Sequence, residues 1–137
     1  MGNATPFIIA VLIVGVMILV AMFLTKKRAY HFNKEKYQTK FLAIENGLNK
    51  NNSATFMKTV IDGDKLLDRA MVEMGIPGKT MGDRLKHSKD KFSDINAVWR
   101  AHKLRNALAH EDLEITYRQA FAALAIYKKA LKELGAI

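Results

Sequence analysis

The densest chemistry in the chain lies in one stretch, Trp99-Arg100-Ala101-His102-Lys103-Leu104-Arg105-Asn106-Ala107-Leu108-Ala109-His110-Glu111. His102, Asn106 and His110 are spaced i, i+4 and i+8, which places them about one turn apart on one face of a helix. Arg105 sits beside Asn106, and its long side chain can swing toward His110. Arg100 and Lys103 add charge nearby, while Leu104 and Leu108 take the opposite face into a core. Such a stripe suits phosphate chemistry without a metal. An arginine offers phosphate oxygens a planar fork of donors, and a histidine trades protons near neutral pH. An Asn amide can fix a ring tautomer or donate to a phosphate oxygen. RNA supplies its own nucleophile in the 2′-hydroxyl. An Arg and a His near the phosphate could therefore promote attack on the adjacent phosphorus and stabilise the charge that develops there.

The same residues also admit blander roles. They could be solvated surface groups or a buried seam with satisfied hydrogen bonds. His110 could be a cation against a helix C-terminus, worth about 0.3–1 kcal/mol. A zinc site is disfavoured because the two histidines are eight residues apart with Asn between them, and no third ligand is placed by the sequence. The chain has no cysteine, which excludes disulfides, cysteine-based zinc sites and thiol catalysis.

The elements that must position this stripe all read as helices. Tyr37, Phe41, Ile44 and Leu48 repeat at helical spacing between Phe32 and Leu48, and the Asn-rich segment Asn49 to Asn52 ends that run. Ser53 is expected to cap a long helix carrying Phe56, Val60, Gly63, Leu67, Ala70 and Met74 on one face, stopped by Gly75-Ile76-Pro77-Gly78. Thr80 with Asp83 resembles a capping box for a short helix to about His87. Ser93 or Asp94 then caps the helix of the polar stripe, with Ile95, Val98, Ala101, Leu104 and Leu108 inward. Thr116 with Gln119 forms a second capping box. It opens a last helix expected to bury Tyr117, Ala120, Phe121, Leu124, Tyr127, Leu131 and Leu134, with Gly135 at the C′ position. No run alternates with period two. The fold class is therefore all-α, with one N-terminal transmembrane helix followed by a bundle of four or five helices.

The stretch Arg105-Asn106-Ala107-Leu108-Ala109-His110 resembles the R-x(4–6)-H motif of the HEPN superfamily, including the polar residue that this family favours after the Arg. Its place on the penultimate helix of a small bundle, followed by one amphipathic helix, is similar to that family as well. The resemblance implies a homodimer and a metal-independent endoribonuclease. It assigns Arg105 as phosphate binder, His110 as acid/base or transition-state donor and Asn106 as support, with no cofactor. His102 lies outside the motif, and its supporting role follows from helical position alone, as do those of Arg100 and Lys103. The alternative is a non-catalytic, membrane-tethered interaction module that uses the same stripe as a dimer or partner-protein interface. Trp99 beside the stripe fits an interface anchor. A third reading is simple binding of nucleic acid or anionic lipid by a basic face, with steep salt dependence. With one Trp and four Tyr, two of them expected in the core, an extended base-stacking platform is disfavoured.

Residues 1–30 form the other part. Pro6 to Leu24 holds no charge, and Phe7 to Leu24 as a helix spans roughly 27 Å, close to the hydrocarbon thickness of a bilayer. Met1 to Thr5 carries no Lys or Arg, which argues against a signal peptide. Lys26, Lys27 and Arg28 follow the apolar run directly. By the positive-inside rule they place residues 31–137 in the cytoplasm and the N-terminus outside, a single-pass arrangement in the cell membrane. The formal net charge is +9, and the chain stays basic without that cluster, which favours a polyanionic partner such as RNA or a membrane surface.

Overall fold

In a computed structural model, which describes residues 4–24 and 30–137, every regular element is a helix. These are α1 (Ala4–Leu24), α2 (Lys34–Gly47), α3 (Ala54–Glu73), α4 (Met81–Lys86), α5 (Ile95–His110) and α6 (Tyr117–Leu134). The chain forms two compact units, Met1–His31 and Phe32–Ile137. In the first, α1 is long and apolar enough to cross a membrane. Its 21 residues rise by roughly 31 Å, and its large apolar side chains are each at least half exposed. A helix that is apolar all round lacks the polar face that water would require. Lys26, Lys27 and Arg28 lie outside the described residues.

The second unit is a five-helix bundle organised around α3, which packs against α2, α5 and α6, while α5 also meets α4 and α6. The entry to α2 is set by Asn33, whose side chain accepts from the Lys36 backbone N–H at 3.0 Å. Phe32, just before this cap, meets Tyr37 edge-on with ring centroids 5.4 Å apart. This is a hydrophobic staple fixing the angle at which the chain enters the helix. Both anticipated capping boxes form, at Thr80/Asp83 and Thr116/Gln119. Asp94 caps α5 by accepting from the Ala97 N–H at 2.9 Å, while Ser93 turns instead to Glu133 on α6. Gly135 ends α6 in the left-handed region at φ 78°, which lets the Ala136 N–H return to the Leu131 carbonyl.

Val60, Leu67 and Met71 of α3 and Tyr127 and Leu131 of α6 are fully buried at the centre. Each such apolar side chain contributes roughly 1.5–3 kcal/mol. Gly63 permits this contact. A Cβ there would lie 2.6 Å from Tyr127 Cδ2 and 3.2 Å from Leu124 Cδ2, so the missing side chain lets α6 lie directly on α3.

Three expectations need correction. Ser53 does not cap α3: it has helical dihedrals and its side chain makes no cap bond. The Asn52 side chain accepts from the Ala54 N–H at 3.2 Å, one residue earlier. Phe121 is exposed, not buried. The buried stripe of α6 runs through Ala120, Leu124, Tyr127 and Leu131, and Phe121 falls to its flank, stacked on half-buried Tyr117. Leu104 is only half buried, because it sits toward the edge of the α5 face that Val98, Ala101 and Leu108 bury.

Gly63→Ala should lower stability by about 1–3 kcal/mol, read from denaturant unfolding of the full chain in detergent. An unchanged midpoint would mean that the Tyr127 ring can yield. Hydrogen bonds from the Thr80 hydroxyl and backbone N–H hold the Asp83 carboxyl below its usual range. This lowered folded value stabilises α4 above the ordinary carboxylate range, and the contribution is lost as pH falls through it. A pH series of thermal melts should therefore show a weaker acid dependence in Thr80→Ala than in the parent.

Candidate functional site

The site starts from a buried charge. Asp64 is 3% exposed on α3, one residue after the glycine that admits Tyr127. An unpaired carboxylate there would be strongly destabilising, so it must gather donors. His102 Nδ1 on α5 lies 3.0 Å from Asp64 Oδ1. Arg105 Nε lies 3.5 Å from Oδ2, an ion pair without hydrogen-bond alignment. The Tyr127 phenol on α6 lies 3.0 Å from the Ala101 carbonyl oxygen and 3.3 Å from Asp64 Oδ1, so its one proton faces two acceptors. Burial pushes the Tyr127 phenol well up, and the Asp64 charge adds to this, so it stays protonated and donating.

The network closes through Asn106. A carboxylate only accepts, so His102 carries a proton on Nδ1, and Nε2 is the ring nitrogen left to face Asn106. The Asn106 amide nitrogen is 3.2 Å from that Nε2 and donates to it. This fixes the amide with its oxygen toward Arg105, whose Nη1 donates to Asn106 Oδ1 at 2.9 Å. Asp64, His102, Asn106 and Arg105 thus form a ring in which each polarity is set by the previous member. The ring holds one flank of the guanidinium.

The second wall comes from α4, and its placement also depends on a clamp. Buried Arg84 donates from Nε and Nη2 to the two carboxylate oxygens of Asp68 on α3, at 2.8 and 2.9 Å, and from Nη1 to the Gly78 carbonyl at 2.6 Å. A two-pronged Arg–carboxylate pair fixes orientation as well as distance. It pins α4 against α3 beside the ring. Between these walls lies a cleft of about 760 Å³, lined in part by Asp64, Thr80, Lys86, Trp99, Lys103, Arg105 and His110.

Trp99, His102, Lys103, Arg105, Asn106 and His110 all line this cleft. Arg100 does not; it is exposed and lies 3.8 Å from Asp94. His102 is not a surface residue of a polar stripe but a buried member of the ring. Trp99 is half buried, with its edge toward His102 at 6.1 Å between ring centroids. His110, at the last turn of α5, is exposed. Asp64, Asp68, Arg84 and Tyr127 were missed as polar partners. Asp64 gave a usable signal, being an acid one residue from the buried Gly63 on an otherwise apolar face. Lys65 and Lys103 are exposed and make no ion pair among the described residues. No group of three or more His, Cys, Asp or Glu side chains that could hold a metal ion occurs among the described residues. Protein-family models, characterised proteins and solved structures were all compared with the chain, and none matches.

Asp64→Ala should destabilise the chain by about 3 kcal/mol or more, since it strands paired donors in the interior. Asp64→Asn, which keeps one acceptor, should cost less. Urea unfolding of both variants in detergent checks this, and equal midpoints for parent and Asp64→Ala would contradict the network.

Proposed function

We propose that the chain is a membrane-tethered, HEPN-like helical module that binds RNA in the cleft between α3, α4 and α5 and cleaves it without a metal. One observation carries the reading. Arg105, Asn106 and His110, the residues of the R-x4-H motif, line a single cleft in which a built network orients the arginine. The chemistry is the transesterification that RNA permits. His110 takes the 2′-hydroxyl proton, a 2′-O–P bond forms, and the P–O5′ bond breaks as the leaving oxygen gains a proton. The Arg105 guanidinium would donate to the phosphoryl oxygens as charge accumulates. One His110 per chain supplies one proton-transfer group. A homodimer would supply a second, and tethering raises the local concentration that favours it.

The anchor reading rests on α1, long and apolar enough to cross a membrane. The basic residues that follow it in sequence favour the domain facing the cytoplasm, where RNA is present.

A second reading has its own support. Arg105 is already partly neutralised by Asp64, which suits a module that binds without cutting. The two readings separate in one assay of the full chain in detergent, with single-stranded RNA and excess chelator. Cleavage leaving 2′,3′-cyclic phosphate ends is expected, slowed about 100-fold or more in Arg105→Ala and His110→Ala. RNA bound but left intact would select the interaction module, and cleavage unaffected by either substitution would remove the site from the reaction.

A further inference from the structure

We propose that Trp99 is a seat for a single nucleobase at the edge of the cleft, so that the site takes single-stranded, base-bearing RNA rather than phosphodiester alone. This rests on reading the cleft as an RNA phosphate site. Trp99 is shared between two hollows. On one side it lines the cleft that holds Arg105, Asn106 and His110. On the other it lines an adjoining hollow of about 400 Å³ with Asn96, Arg100 and Lys103. Lys103 also borders both.

The indole has close neighbours. A Cβ on Gly82 would sit 3.6 Å from Trp99 Cη2 and 3.8 Å from Cζ3, so α4 passes close to the outer edge of the ring. The buried ring of His102 abuts it edge-on. The clamp from Arg84 to Asp68 fixes α4 in this place. The ring is thus bordered by α4 and by His102 of its own helix and keeps part of its surface exposed, which is the arrangement a stacking surface needs.

The surroundings identify what would stack. The outer hollow contains no apolar side chain besides Trp99; its other members are an amide and two cations. A tryptophan that anchors a protein partner is usually ringed by contacts that exclude water. Trp99 is ringed by Asn96, Arg100 and Lys103, which suit a ligand whose flat, apolar face is joined to phosphates. Base–aromatic stacking beside a cationic track is the recurrent solution for single strands. A single residue gives one seat, so the scarcity of aromatics that argues against an extended platform does not argue against this. Asn96 offers both a donor and an acceptor to a base edge.

Trp99 is the only tryptophan of the chain, so its fluorescence reports on this position alone. The full chain in detergent is titrated with a short, uncleavable 2′-O-methyl single strand and with an abasic strand of the same length. The base-bearing strand should quench Trp99 and bind about tenfold tighter, in line with the worth of one stacked base. Trp99→Ala should reduce its affinity to that of the abasic strand, and Trp99→Phe should retain part of the difference should the alanine variant fold poorly. Arg105→Ala should weaken both strands alike. Equal binding of the two strands with unchanged emission overturns the base seat and leaves the phosphate cleft standing. Failure of both strands to bind overturns both readings. Emission that changes only with protein concentration would make Trp99 a contact between copies of the chain and overturn the seat.

Discussion

The bundle and its candidate site both depend on one buried carboxylate. Asp64 sits where α3, α5 and α6 converge, and it gathers partners from both neighbours: the His102 ring and the Arg105 charge from α5, the Tyr127 phenol from α6. Gly63, immediately before it, lets the Tyr127 ring approach. Two adjacent residues therefore set both the closeness of the central helices and the polarity of what lies between them. A buried charge of this kind adds little net stability compared with an apolar replacement of the same shape, but it penalises every arrangement that leaves it unpaired. This interaction turns an apolar bundle into one that presents an oriented arginine at its surface.

Much of the fold was legible from the sequence because it depends on local rules. The apolar spacing along α3 and α6, both capping boxes and Gly135 each specify helices or helix ends without reference to distant residues. Errors arose where neighbouring residues compete for one role or where a residue's angle on its helix decides its face. Ser53 was a chemically reasonable cap, yet Asn52 reaches the same end of the helix. Phe121 looked like core by type, but its helical angle puts it on the flank of α6, where Tyr117 covers one face.

The site was legible in its members and not in its architecture. Spacing alone collected His102, Asn106 and His110, and the helix does hold them in line. Spacing could not show that the first of these is buried, the second half buried and the third exposed. That gradient runs toward the C-terminal end of α5, and it divides their labour. His102 faces inward and fixes a tautomer, Asn106 transmits that polarity, and His110 meets solvent. The partner Asp64 lies on another helix, 38 residues upstream of His102 and 41 upstream of Arg105, and no local pattern links such residues.

The proposed RNA site would set a phosphate against Arg105 with His110 in reach. A structure of the full chain with an uncleavable single-stranded RNA analogue tests it most directly. The expected result is a phosphate hydrogen-bonded to the Arg105 guanidinium while Asp64, His102 and Asn106 keep their places, with His110 turned toward the 2′ position. A strand lying along another face, with the cleft unfilled, would contradict it.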